Sequence, residues 1–139
     1  MVELTIEAKR ENLDTVIDFV NEKLSEYGCS FEIESKIDIA VEEIFVNIVS
    51  YAYDLEGGDV TLRCNIIESP LQVELIFGDS GIPYNPLERE EPDISKPVDE
   101  REIGGLGILL TKKLMDDVSY EYRDGKNILK IKKRIGGKK

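Results

Sequence analysis

Apolar and polar residues alternate, or recur at helical spacing, over most of the chain, and this pattern predicts its elements. The alternation over Val2–Glu7 predicts a strand with one buried face. Apolar residues at helical spacing over 13–24 predict a first helix, with Asn12 placed to cap its start. A longer apolar stripe predicts a second helix over about 33–53.

The second half of the chain predicts two hairpins on either side of a third helix. Strands at 60–67 and 71–77 are separated by a Glu-Ser-Pro turn, which is typical of a hairpin. The third helix is predicted at about 106–116. Strands at 118–122 and 128–131 then close a second hairpin around an Asp-Gly turn.

Residues 82–103 differ from the rest because they hold four prolines among many charges and show no sustained periodicity. This composition predicts a long mobile loop, and loops of this length in small domains tend to be functional. We expect one domain over 1–135 and a flexible tail at 136–139. The predicted fold is α+β, a two-layer sandwich in which helices cover one face of a mixed, mostly antiparallel sheet.

The second helix has apolar residues on more than one side. Ile39, Val46 and Val49 lie off its main stripe, and Phe31 and Ile33 come just before it. Such a helix is either sandwiched within its own fold or partly covered by another chain. We therefore predict a homodimer, or pairing with a partner, and keep burial within one chain as the alternative.

Charge narrows the range of partners. The chain has 139 residues, 41% of them hydrophobic, and a formal net charge of −11. Such an acidic surface disfavours nucleic acid and anionic membranes, so we expect proteins and small ligands as partners. We find no signal peptide or membrane-spanning run, and we expect a cytoplasmic protein with Cys29 and Cys64 as reduced thiols.

The chain has no histidine. Imidazole bases, histidine metal ligands and histidine autophosphorylation are therefore excluded. Any proton acceptor must be a carboxylate or another side chain.

The first motif with candidate chemistry is a Glu-x-x-x-Asn pair on the second helix. Glu43 and Asn47 are four residues apart, so they are neighbours on one helical face. Asn47 falls at the edge of the apolar stripe, where a carboxamide is half-buried and needs partners. Taken alone, the pair also fits a surface glutamate beside a structural asparagine.

The second motif, Asp79-Ser80-Gly81-Ile82-Pro83, ends an apolar strand. An aspartate there can accept a hydrogen bond from a ligand N–H group. Gly81 would let a ligand approach the backbone closely. An ordinary Asp-Ser-Gly turn before prolines is the competing interpretation.

The third motif is a glycine cluster, Gly104-Gly105-Leu106-Gly107, that opens into an apolar helix continuing through Ile108. Free N–H groups and the helix dipole at such a junction favour an anion such as phosphate. The cluster lacks the lysine of a Walker motif and does not follow a strand as a Rossmann motif does. A flexible hinge before the helix is the alternative.

In this order and spacing, the three motifs resemble the N, G1 and G2 boxes of the GHKL ATPases. The short chain and the sequences at 79–86 and 104–110 look most like the anti-sigma-factor serine/threonine kinases. The resemblance covers Val2 to about Lys133. It implies a Bergerat fold, in which ATP is held under a lid between the second and third helices.

The resemblance also implies roles for the matching residues. Asn47 would hold Mg²⁺ against the phosphates, and Glu43 would orient or deprotonate the nucleophile. Asp79 would accept a hydrogen bond from the adenine amino group, and Gly81 would let the base approach. The phosphates would bind at the glycine-rich loop, formed by Gly104, Gly105, Leu106, Gly107 and Ile108.

Other family features match less closely. Residues 82–103 would be the lid, from which Lys96 or Arg101 would reach a phosphate. Family members often carry a threonine near the C-terminus that helps to hold adenine, and here Asn127 is the candidate at that place. The gyrase-like and MutL-like members need a second domain that supplies a lysine, and we expect this protein to differ from them in that respect.

The leading hypothesis is an ATP- and Mg²⁺-dependent serine/threonine kinase. It would phosphorylate a serine of an anti-anti-sigma (STAS-type) antagonist and sequester a sigma factor, chemistry that needs positioning, a metal ion and one carboxylate. The alternative is a nucleotide-dependent protein-binding switch with little or no kinase activity. Glu43 favours the enzyme, because a binding module needs no carboxylate there. A plain acidic domain with coincidental motifs is the third possibility.

Overall fold

The computed structural model of the protein describes residues 1–53, 57–68, 70–88 and 105–136. Residues 89–103 of the predicted lid, with Lys96 and Arg101, lie outside the described residues, as do Gly104 and most of the predicted tail. No helix in the described ranges is long and apolar enough to cross a membrane.

The described residues form five strands, β1 Val2–Glu7, β2 Asp59–Ile67, β3 Gln72–Asp79, β4 Asp117–Arg123 and β5 Lys126–Arg134. These strands make one sheet with the order β1-β2-β3-β5-β4. All four pairings are antiparallel, so the expected mixture of directions was wrong, while the α+β sandwich is confirmed. Only a few residues separate β2 from β3 and β4 from β5, and connections this short can join only antiparallel strands.

The described residues form three α-helices, α1 Leu13–Ser25, α2 Phe31–Tyr51 and α3 Gly105–Leu114. Helix α2 begins two residues earlier than predicted, because the hydroxyl of Ser30 accepts a 3.2 Å hydrogen bond from the Ile33 N–H group. Asn12 does precede α1, but its side chain donates to the Glu7 carbonyl at 2.9 Å. The prediction that Asn12 caps α1 was therefore wrong, since its amide is used to hold the end of β1.

The core lies between the helices and one face of the sheet. Buried side chains of α1 and α2 pack on alternate residues of β2, β3 and β5, among them Leu24, Ile37, Phe45, Leu62, Phe77 and Ile131. Both cysteines are free thiols, and burial raises the pKa of Cys64 to about 11. The β4–β5 turn has φ of 55° at Asp124 and 77° at Gly125, as a type I′ turn requires.

The residues predicted for association fall into two groups. Phe31 is 82% exposed and Ile39 is 39% exposed, so apolar surface does remain on α2. Ile33 and Val49 instead pack partly against the chain's own core, and Val46 is half-buried. The first group therefore offers the larger apolar surface to a partner.

The Ser30 cap should contribute measurably to stability. We expect Ser30→Ala to lower the free energy of unfolding by about 1 kcal/mol, since an N–H group of the first turn of α2 loses its partner. Urea unfolding followed by circular dichroism measures this change. The control is Ser50→Ala, at an exposed position near the other end of α2. Equal effects at the two serines would contradict the capping role.

Candidate functional site

A pocket between α2 and the helix-facing side of the sheet brings together three of the predicted site residues. Asn47 comes from α2, Asp79 from the end of β3 and Asn127 from the start of β5. Each is 7% exposed or less. The remaining lining is largely apolar or aromatic, with Ile44, Ile48, Ala52, Phe77, Tyr84, Pro86, Tyr120 and Leu129.

Asp79 is a buried carboxylate held by neutral donors. Its Oδ1 accepts hydrogen bonds from the Gly81 N–H group and from the Asn127 amide, both at 2.9 Å. Burial raises the pKa of Asp79, and the two hydrogen bonds oppose that shift. These two bonds leave Oδ2 as the oxygen able to accept from a ligand.

Asn127 lies directly opposite Asp79 in the β3–β5 pairing. Besides Asp79, its amide nitrogen donates to the Ile82 carbonyl at 2.8 Å. Its oxygen accepts from the Tyr84 N–H group at 3.0 Å and from the Tyr120 hydroxyl. This side chain therefore joins β5, β4 and the first residues of the segment that follows β3.

The end of α2 holds the same segment from the other side. The Ile82 N–H group donates to the Ala52 carbonyl at 2.9 Å, and the Ser80 N–H group donates to the Tyr53 hydroxyl at 2.8 Å. A Cβ atom at Gly81 would lie 2.1 Å from the Ala52 carbonyl oxygen. The close approach of Ala52 is therefore enough to require glycine at position 81, in addition to the approach of a ligand that the sequence suggested.

Glu43 and Asn47 share one face of α2, as their spacing predicted. The Asn47 amide nitrogen donates to the Glu43 carbonyl at 2.9 Å, so this bond does not engage the Asn47 oxygen. Glu43 is half-buried and does not line the pocket described above. Burial raises the pKa of Glu43, and the charge of Glu42 raises it further.

The glycine-rich motif is placed at the start of α3, which runs from Gly105 and includes Leu106, Gly107 and Ile108. The sequence predicted a glycine cluster before the helix, whereas the backbone is helical from Gly105 onward. The first four N–H groups of an α-helix have no partner within it. The motif therefore places N–H groups at the helix start that have no partner within α3 itself.

Sequence reasoning missed the tyrosines around the site. Tyr84 stacks on Tyr51 with ring centroids 5.5 Å apart, and Tyr120 bonds to Asn127. Tyr53 also donates to the Asp59 carbonyl at 2.6 Å, which ties the end of α2 to the start of β2. These four tyrosines lie far apart in the sequence and come together only in the folded chain. The pattern of apolar and polar residues does not reveal such contacts.

Comparisons with known proteins agree with this architecture. Residues 6–133 match the family described as the histidine kinase-like ATPase domain. The chain is 30% identical over 135 residues to the serine-protein kinase RsbW of Bacillus cereus, covering 94% of this chain and 83% of the relative. The protein of the same name from Bacillus mycoides is 28% identical, with the same coverage.

Two solved structures share the fold. The RsbU and RsbW domains of a Mycobacterium tuberculosis protein match with a TM-score of 0.66 at 17% identity, covering 99% of this chain and 34% of that chain. The catalytic domain of histidine kinase ThkA matches with a TM-score of 0.53 at 13% identity, covering 99% of this chain and all of that domain (100%).

The tight contact at Gly81 makes a prediction about stability. We expect Gly81→Ala to lower the free energy of unfolding by roughly 1–3 kcal/mol, because the added methyl group must displace backbone of Ala52. The matched control is Gly78→Ala, where the nearest atom to a new Cβ is 3.8 Å away, and we expect a change within about 0.5 kcal/mol. Chemical denaturation measures the stability of both variants. An equal loss in Gly81→Ala and Gly78→Ala would contradict the importance of the contact with Ala52.

Proposed function

This chain belongs to the family of histidine kinase-like ATPase domains, and we propose that it is an ATP-dependent serine/threonine protein kinase of the anti-sigma-factor type. Its similarity to the serine-protein kinases named RsbW, which extends over 94% of the chain, supports this proposal. The observation that carries it is the pocket that Asp79 lines beside Asn47 of α2. The hydrogen bonds of the buried Asp79 carboxylate engage Oδ1, so Oδ2 can accept a hydrogen bond from a ligand.

The pocket has the chemistry that an adenine base requires. Apolar side chains such as Ile48, Phe77 and Leu129 would cover the flat base, and Asp79 Oδ2 would accept from its amino group. The cavity volume in the structure is about 40 Å³, well below the roughly 300 Å³ at which ligand pockets begin. A base needs more room, so we infer that Tyr84 and Pro86 move outward when nucleotide binds.

The phosphates would lie toward the start of α3. The N–H groups of Gly105, Leu106, Gly107 and Ile108, with the preceding Gly104, would donate to them. Asn47 offers a carboxamide oxygen, a ligand type that Mg²⁺ accepts, and Mg²⁺ takes much of its coordination from phosphates and water. When bound, the ion would neutralise phosphate charge, which a chain of net charge −11 otherwise repels.

Glu43 is the proposed general base. Its carboxylate would take the proton of a serine hydroxyl as that oxygen attacks the γ-phosphorus and the bond to ADP breaks. The raised pKa of Glu43 suits this role, because a base with a pKa nearer neutrality holds the proton more readily.

The proposed partners follow from the same similarity. A STAS-type anti-anti-sigma protein would supply the serine, and a sigma factor would be sequestered in the cytoplasm. The alternative function, a nucleotide-dependent binding switch, uses the same pocket but transfers little or no phosphate. The carboxylate of Glu43, one turn from Asn47, favours the kinase.

Two substitutions separate binding from chemistry. We expect Asn47→Ala to weaken Mg²⁺-dependent ADP binding, because the metal loses its protein ligand. We expect Glu43→Gln to bind ADP normally but to transfer phosphate about 10²–10⁴-fold more slowly, because the base is lost. Calorimetry measures binding, and labelled ATP with candidate STAS-type proteins measures transfer.

The pH profile gives a further check on Glu43. In the parent, the transfer rate should fall as the pH drops through the raised pKa of Glu43, since the base becomes protonated. This acid limb should be absent from the residual rate of Glu43→Gln. Parental transfer by Glu43→Gln would rule out the assigned role. Nucleotide binding without transfer to any STAS-type protein would support the switch instead.

Association through α2 is the proposed basis of a homodimer. Phe31, 82% exposed, would be its main apolar side chain, with Ile39 on the same helix. We expect Phe31→Glu to weaken self-association roughly 30-fold, as loss of a central aromatic residue at an interface costs about 2 kcal/mol. Because the net charge opposes pairing, moderate salt should strengthen the parental dimer.

Sedimentation of parent and variants at two ionic strengths measures this effect. Tyr122→Glu, which replaces an exposed tyrosine on β4, serves as the matched control. A monomeric parent under all conditions, or a dimer that both substitutions weaken equally, would exclude this surface.

A further inference from the structure

The Gly81 peptide is held between two neighbours that are both anchored to the chain beyond α2. The Ser80 N–H group donates to the Tyr53 hydroxyl at 2.8 Å. The Ile82 N–H group donates to the Ala52 carbonyl at 2.9 Å. One anchor is therefore a backbone carbonyl, and the other is the hydroxyl of a side chain. Together they limit the rotation of the peptide that lies between them.

We propose that Tyr53 is a positioning residue for nucleotide binding, because its hydroxyl fixes the backbone at Ser80 and Gly81 from outside the nucleotide pocket. This inference rests on the proposed nucleotide binding and adds a residue to it. Tyr53 would act on the nucleotide through the backbone and not by contact.

The Gly81 N–H group links this anchor to the pocket. It donates to Asp79 Oδ1 at 2.9 Å, and Asp79 lines the pocket. If the Gly81 peptide turned, the carboxylate of Asp79, which is 6% exposed, would lose a donor. Binding groups keep their positions only when bonds of this kind support them. The position of Asp79 therefore depends on the anchoring of the residues that follow it.

Tyr53 itself lies outside the pocket. The side chains that line the pocket include Asn47, Asp79 and Asn127 but not Tyr53. Tyr53 lines a groove on the opposite face of the sheet, where its neighbours include Thr61 and Ile76. Loss of its hydroxyl would therefore leave the lining of the nucleotide pocket unchanged.

The start of β2 holds Tyr53 in place. Its hydroxyl donates to the Asp59 carbonyl at 2.6 Å. Burial raises the pKa of Tyr53, so the hydroxyl keeps the proton that this bond requires. A Cβ atom at Gly58 would lie 2.3 Å from the ring of Tyr53, so glycine there lets the ring lie close to the backbone. The hydroxyl is thus a fixed acceptor for the Ser80 N–H group.

Two substitutions away from the pocket test the inference. Tyr53→Phe removes the hydroxyl and keeps the ring, whereas Gly58→Ala keeps the hydroxyl and displaces the ring. The matched control is Tyr27→Phe, which removes a hydroxyl from an exposed tyrosine beyond the end of α1. Calorimetry with Mg²⁺ would measure the dissociation constant of ADP for the parent, these variants and the double variant. The temperature is one at which circular dichroism shows every protein to be folded.

We expect Tyr53→Phe to weaken ADP binding by about 3- to 10-fold, the value of one neutral hydrogen bond. Gly58→Ala should weaken binding to a similar extent. The double variant should bind ADP no more weakly than Tyr53→Phe, because both changes act through the same hydroxyl. Tyr27→Phe should match the parent. A merely structural role for Tyr53 would lower the melting temperature and leave the dissociation constant of the folded protein unchanged.

Parental affinity in Tyr53→Phe would overturn the inference and leave the proposed function intact. If either substituted protein does not fold, the other decides the matter, and parental affinity in that variant overturns the inference. Additive losses in the double variant overturn it as well, since the two residues would then act independently. A parent that does not bind ADP overturns the proposed function itself.

Discussion

The site depends on one close backbone contact, between the end of α2 and the residues that leave β3. Ile82 donates to the Ala52 carbonyl at 2.9 Å, and this approach is possible because Gly81 has no side chain. Tyr53 adds a second connection through its hydroxyl to the Ser80 N–H group. Since α2 also carries Asn47, this contact sets the separation between the two halves of the pocket.

Two buried carboxylates on β3 show how differently the sheet treats charge on its two faces. Glu74 is 9% exposed and lies within 3.9 Å and 3.7 Å of the ammonium groups of Lys130 and Lys132. Asp79 is buried as well, but its partners within hydrogen-bond distance are neutral N–H groups. The charge of Glu74 is thus compensated within the fold, whereas that of Asp79 is stabilised without being neutralised. A ligand with a donor group would complete the second arrangement.

The sequence predicted the elements well because their periodicities are strong and their turn residues are specific. The Asp-Gly turn between β4 and β5 and the apolar stripe of α2 are both local signals, and both correspond to the structure. Helix α2 starts two residues earlier than predicted, because Ser30 caps it and the pattern of apolar residues does not reveal that cap. The pattern correctly placed Asn12 just before α1, but its side chain bonds to the Glu7 carbonyl and not to the first turn of the helix.

The site was predictable only in part, because its geometry arises between residues that are distant in sequence. Glu43 and Asn47 are one helical turn apart, so their spacing was enough to place them together. The bonds of Asn127 to Asp79 and Ile82 span 48 and 45 residues and depend on the pairing of β3 with β5. Nothing local distinguishes Asn127 from an ordinary residue after a turn.

That pairing has a consequence for the fidelity of folding. A one-residue slip between β3 and β5 would turn the side chains of one strand to the opposite face, and Asn127 would then leave Asp79 without its amide partner. A buried carboxylate with a lost partner costs several kcal/mol, far more than apolar residues lose by exchanging neighbours of similar size. The hydrogen bond between Asp79 and Asn127 therefore disfavours sheets in which β3 and β5 pair in the wrong register. The residues proposed to line the nucleotide site thus also help to set the register of the two strands that carry them.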